Sequence, residues 1–242
     1  MAGSLFAFIS GLAGTFTACN ICVFSAIAPL AAEKRSVGKV LTPMLYLTIG
    51  LVTVAAIYGA IGAIMGSNLP QLSNARLGDP ETGFPVRLIQ SAIVFVTIGI
   101  IFVLWGLISV DLIKNPFAVF SARFPKAQLL FMGALIGGFL IGRPFPLFRK
   151  MFEYAASTHN PLYGSFAFVL SGLGNILIMM LFFLLLTYGT GGRFERWLQA
   201  KPGRIQALTA VALLTGGTFF ITYWGLRVPS IFGFGWWPFI NW

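Results

Sequence analysis

The sequence predicts an all-α integral membrane protein of six transmembrane helices, arranged as two inverted three-helix repeats with both termini outside. Three observations carry that reading. The 242 residues are 57% hydrophobic and only 9% charged, with a mean hydropathy of +0.88. That leaves too little charged surface for a soluble domain of this size. The apolar runs are about 20 residues or longer and lack period-2 alternation, which selects spanning helices over a barrel. Basic residues gather in alternate loops, the pattern that the positive-inside rule describes.

The spans follow in order. The first, Leu5–Ala32, has no basic flank before it and runs well past the length of a secretory h-region, so a retained helix is expected. The second and third cover Val40–Met65 and Leu88–Val110, the fourth Gln128–Phe148, the fifth Leu162–Tyr188 and the sixth Ile205–Leu226. Between them, the loops holding Lys34, Arg35 and Lys39, then Lys114, Arg123 and Lys126, then Arg193, Arg196, Lys201 and Arg204 carry ten of the 16 Lys and Arg residues. These loops are assigned to the cytoplasm. The net charge of +10 is thereby a topology signal, and a nucleic-acid partner is not expected. On the other side, Ser67–Arg87, with Pro70, Pro80 and Pro85, reads as an ordered cap or partner contact without catalytic residues. The tail from Pro229 carries Trp236, Trp237 and Trp242, which favour the headgroup level or a protein contact.

A short internal echo divides the chain into repeats at residues 1–110 and 111–242. Gly14-Thr-Phe-Thr-Ala-Cys19-Asn-Ile-Cys22 in the first span matches Gly138-Phe-Leu-Ile-Gly-Arg143-Pro-Phe-Pro146 in the fourth. Each sets a glycine five places before a reactive or charged residue, and a special residue three places after it. In an inverted arrangement the two motifs would face one another near the bilayer midplane.

Cys19 and Cys22 are the only cysteines. At i and i+3 they share one helix face, so their sulfurs can approach. A dithiol at bilayer depth can exchange electrons, bind a soft ion, or simply pack as small apolar residues. The polar residues near Gly14 and the proline at Pro29 suggest an interrupted helix, which would ease the geometry of a disulfide. Arg143 at the same depth needs a partner or water. Facing the dithiol it would favour a reactive thiolate; otherwise it would snorkel towards Arg149 and Lys150 at the outer headgroups. Pro144 and Pro146 are expected to bend or end the fourth span and open a small cavity.

Other chemistries find no residues. His159 is the single histidine and lies in a loop, which rules out haem with two histidine ligands. A zinc site has too few ligands, no phosphate-binding loop is present, and no carboxylate lies within a span. No cofactor is therefore expected. Asn20 and Asn175 read as hydrogen-bonding glue between helices, and the stretches at Ser171–Asn175 and Thr215–Thr218 as close helix contacts.

At the Cys19 and Arg143 motifs the chain resembles the family of the cytochrome c biogenesis protein CcdA and the membrane domain of the thiol-disulfide interchange protein DsbD. The resemblance implies two inverted three-helix repeats in a bacterial inner membrane. It also implies a Cys-x-x-Pro-type motif in helices 1 and 4, and transfer of reducing equivalents from cytoplasmic thioredoxin to outer acceptors. Two positions depart from the pattern. Cys22 stands where the family has proline, and Arg143 stands where it has the second cysteine, while Pro146 is kept. The family's inter-helix disulfide cannot form in this chain. Three functions follow as expectations: thiol-disulfide exchange at Cys19 and Cys22 with thioredoxin-like partners; a non-catalytic subunit of a larger membrane complex, respiratory or photosynthetic; or a transporter of a soft metal or sulfur species.

Overall fold

The computed structural model describes residues 2–14, 37–116, 123–124, 126–189, 193, 200–201 and 203–233. Among these the chain is mostly helical. Helix α1 spans Ala2–Gly14, α2 Val37–Met65, α3 Val86–Ser109, α4 Ala127–Gly142, α5 Pro146–Ser157, α6 Pro161–Gly189 and α7 Arg204–Thr222. A π-turn, Tyr223–Arg227, then leads into the short α8, Val228–Ile231. The one sheet among the described residues is a two-stranded hairpin, β1 Arg76–Leu77 against β2 Phe84–Pro85.

Four of these helices are long and apolar enough to cross a membrane, and α4 with α5 would make a fifth if the bent pair counts as one span. Membrane residence therefore stands, as a multi-pass helical chain. The first expected span is described only through α1; Cys19, Cys22, Asn20 and Pro29 lie outside the described residues, as do Trp236, Trp237 and Trp242.

The fourth span differs from expectation. Read as continuous from Gln128 to Phe148, it stops at Gly142 and resumes at Pro146 in a new direction, bent by 87°. Two successive X-Pro steps explain this. The residue before a proline is pushed out of the helical region. Accordingly Arg143, before Pro144, sits at φ −70°, ψ 113°, and Phe145, before Pro146, at φ −64°, ψ 136°. Pro146 then opens α5, where its missing N–H costs nothing. Helix α5 is amphipathic: Phe148, Met151, Phe152, Ala155 and Ala156 face the protein, while Lys150, Glu153 and Tyr154 face out.

Small residues let the helices approach closely, as packing in lipid requires. Where α1 crosses α6, a Cβ on Gly11 would overlap the Ser171 carbonyl, and one on Gly174 the Phe8 carbonyl. Where α2 crosses α4, Gly133 stands in the same relation to the Leu47 carbonyl and Gly50 to the Leu130 carbonyl. Helices α2 and α6 run antiparallel, with Leu51 against Gly172 and Gly59 against Gly164. Helices α3 and α7 meet at Gly99 and Gly217. The close contacts expected around Ser171 and Thr215 are thus present.

Two cores result. One joins α2, α3, α4 and α7 through stacked rings: Phe95 lies 4.8 Å from Trp224 and 5.9 Å from Phe139, centroid to centroid. The other joins α1, α2, α5 and α6 around Tyr58, Phe148, Phe152 and Phe168, with Phe152 and Phe168 edge-on at 4.6 Å. Such pairs add a modest term to the burial of large apolar surfaces. At one end of the bundle lie the start of α1, the loop after α2, α5 and the start of α6: Gly3 packs on Tyr154 and Tyr163. Phe232, just past α8, packs edge-on against Phe84 of β2 at the same end.

Candidate functional site at the break in the fourth span

A helix end leaves its last carbonyls without intrahelical donors. Here that end is buried, and Pro144 and Pro146 offer no N–H to help. An unmet buried carbonyl costs about 1–3 kcal/mol in a protein interior, and more in lipid. The fold answers with two amide side chains from elsewhere. Gln71, in the loop after α2, donates Nε2 to the Arg143 carbonyl at 2.8 Å and to the Leu140 carbonyl at 3.4 Å. Gln90, on α3, donates Nε2 to the Ile141 carbonyl at 2.9 Å.

Tyr58 of α2 ties the two amides together. Its hydroxyl donates to Gln71 Oε1 and accepts from Gln90 Nε2 at 2.8 Å. The donor and acceptor assignments are mutually consistent around this circuit, which fixes which way each amide points. Gln90 Oε1 alone in the circuit is buried without a hydrogen-bond partner among the described residues. The cavity expected beside the prolines is occupied by these amide side chains.

Arg143 is the one charged side chain buried among the described residues, at 3% exposure. Its guanidinium lies over the Phe148 ring, 5.4 Å from the centroid, a cation–π arrangement. Snorkelling, the alternative expectation, is excluded by this burial: the side chain turns into the protein although Arg149 and Lys150 follow closely. Arg149 takes the surface role instead. It pairs with Glu153 at 2.7 Å and donates to Asn74 Oδ1 at 2.6 Å and to the Leu72 carbonyl at 3.5 Å.

The residues singled out in the sequence fall into three groups. Arg143, Pro144 and Pro146 form the break itself. Gly14 ends the described part of α1, and Gly138 lies half-buried in α4 with Ile98 nearest to where a Cβ would be. Cys19 and Cys22 lie outside the described residues. Asn175 is buried on α6, at 1% exposure, as expected of an interhelical polar residue. Among the described residues no three His, Cys, Asp or Glu side chains gather closely enough to hold a metal ion.

Sequence reasoning missed Tyr58, Gln71 and Gln90, and took the loop Ser67–Arg87 for an ordered cap or partner contact without catalytic residues. The loop is ordered, and Gln71 carries it into the break. The one signal available was an amide, Gln90, inside an otherwise apolar run.

Comparison of the chain with protein-family models, with curated proteins and with solved structures finds no match among any of them.

Proposed function

We propose that this chain is a membrane thiol-disulfide exchange protein whose working groups are the Cys19–Cys22 dithiol and Arg143. The observation that carries the proposal is the burial of Arg143 at a wired break in a membrane helix. A permanent cation buried in an apolar bundle is costly unless it is paired or solvated. In this reading it serves the dithiol of the first span, the other half of the internal echo.

The two halves would be inverted repeats, with both termini and the loop Ser67–Arg87 on the outer face of a bacterial cytoplasmic membrane. Supporting this, the α1–α6 crossing uses Phe8, Gly11, Ser171 and Gly174 in the same relation as Leu130, Gly133, Leu47 and Gly50 at the α2–α4 crossing. Positions 8 and 11 correspond to 130 and 133, and 171 and 174 to 47 and 50; the crossing thus pairs the same helices as the motif echo, with the first helix two residues out of the echo's register. A two-fold axis exchanging the halves would relate the crossings in this way.

The proposed chemistry balances as a two-electron exchange. One cysteine, as thiolate, attacks a disulfide of an outer acceptor, forming a mixed disulfide and releasing an acceptor thiolate that takes up a proton. The other cysteine, losing its proton, attacks the mixed disulfide. That frees the acceptor as a dithiol and closes Cys19–Cys22 as a disulfide. A thioredoxin-like dithiol on the cytoplasmic side then reduces the pair and is itself oxidised. Arg143 stabilises the attacking thiolate by its charge.

Trapping tests this directly. With Cys19→Ser or Cys22→Ser, the remaining cysteine lacks its resolving partner, and one of the two variants should accumulate a mixed disulfide with a thioredoxin-like protein in membranes. If neither variant forms such an adduct while the wild-type fold persists, a scaffold in a larger complex becomes the better account.

A further inference from the structure

We infer that the turn at residues 69–74 is a gate over the break in the fourth span, shutting Arg143 away from the face of the membrane that carries this loop. The inference rests on the reading of Arg143 as part of the working site, and concerns how that site is reached.

The turn is built as a plug. Leu69, Gln71 and Leu72 are buried, while Pro70 and Asn74 face out. Most of its backbone hydrogen bonds are internal: Leu72 N and Ser73 N both donate to the Leu69 carbonyl at 3.0 Å, and Ser73 N also to the Pro70 carbonyl at 3.2 Å, while at its start Leu69 N donates back to the Gly66 carbonyl at 3.2 Å. It can therefore leave as a unit without unravelling. It is preceded by Gly66, a buried residue at φ +54°, a conformation that glycine adopts without strain. It is followed by Ala75, whose carbonyl accepts from Val86 N at 3.0 Å and anchors the hairpin to the start of α3. A fixed point thus stands on one side of the plug and a permissive residue on the other.

Two sets of polar ties hold the plug down. Inside, Gln71 reaches the Leu140 and Arg143 carbonyls and Tyr58. Outside, Arg149 bridges the Leu72 carbonyl and Asn74 to Glu153, whose side chain is 48% exposed. The ion pair with Glu153 lies within α5, so what holds the plug here is one long hydrogen bond to the Leu72 carbonyl and one to the exposed Asn74, ties that water or headgroups can replace at little cost. They suit a latch. When the plug lifts, Gln90 keeps its bonds to Ile141 and Tyr58, so the break retains one of its two amide donors and the plug has a preformed seat to return to.

Thiol accessibility in membranes tests the gate, using the full chain carrying Cys19→Ser and Cys22→Ser. One reporter cysteine is placed beneath the plug, Leu140→Cys, with Ile141→Cys as a second reporter should the first misfold. Another, Leu213→Cys, sits in the separate core as a control; Leu140 and Leu213 are both essentially inaccessible. A membrane-impermeant maleimide is added from the side carrying the loop. Removing the inner ties with Gln71→Leu should speed labelling beneath the plug about tenfold, the factor expected for losing one or two buried hydrogen bonds from a local opening equilibrium, and unlatching with Arg149→Ala should speed it about two- to fivefold. Labelling of Leu213→Cys should not change. Unchanged rates beneath the plug, or equal acceleration of the control, would overturn the gate. Because neither native cysteine is present, the outcome does not depend on whether the dithiol works.

Discussion

Replacing Gln71 by leucine would leave the Leu140 and Arg143 carbonyls without their side-chain donor and Tyr58 without its acceptor. Loss of one partner from a buried polar group costs roughly 1–3 kcal/mol, so Gln71→Leu should lower the thermal stability of the purified chain clearly. Arg76→Ala, which removes an exposed bond to the Glu81 carbonyl and a long, partly buried one to the Gly83 carbonyl, should move it much less. Equal effects of the two substitutions would deny the break its proposed wiring. Arg143 makes a separate prediction. If its charge serves the dithiol, Arg143→Met should slow alkylation of Cys19 and Cys22 roughly tenfold at neutral pH, and Arg143→Lys should recover part of the loss. Identical rates in all three proteins would detach Arg143 from the cysteines.

Among the elements, the helix crossings are the most exacting. Gly59 and Gly164 bring α2 and α6 into backbone contact, and neither position has room for a Cβ. Gly59→Val should destabilise the fold by roughly 3 kcal/mol, the upper range for overpacking, because the obstruction is backbone. Gly78→Ala, in open space at the hairpin, would meet only the strain of its φ of +90° and should unfold near the wild-type temperature. Such crossings were legible in part. The glycines near Ser171 and Thr215 stand out in apolar runs, and the prolines after Arg143 announced a bend. What filled that bend was not legible. Hydropathy and proline signals are local, whereas Gln71 reaches carbonyls 69 and 72 residues away. The fate of Arg143 was equally open, because burial and snorkelling use the same side chain and differ only in the rings and loops around it. The end of the fourth span moved from Phe148 to Gly142 for a related reason: α5 is apolar on one face only, yet extends the run that a hydropathy window sees.

On the scale of the whole molecule, the described residues give four helices of membrane-spanning length, or five with the bent pair, and the three-plus-three arrangement with one site between its halves is the proposal built on them. The topology is checked by reporter fusions. Fusions within residues 33–39, 111–126 and 190–204 should report the cytoplasm, and one within residues 78–82 the opposite side. The central claim is electron transfer through Cys19 and Cys22, and alkylation trapping of these two residues in intact membranes, with and without reduced thioredoxin, tests it most directly. A pair found partly as a disulfide, and converted to thiols when reduced thioredoxin is supplied, is the predicted result. Cysteines that stay reduced and unreactive under every condition would contradict it.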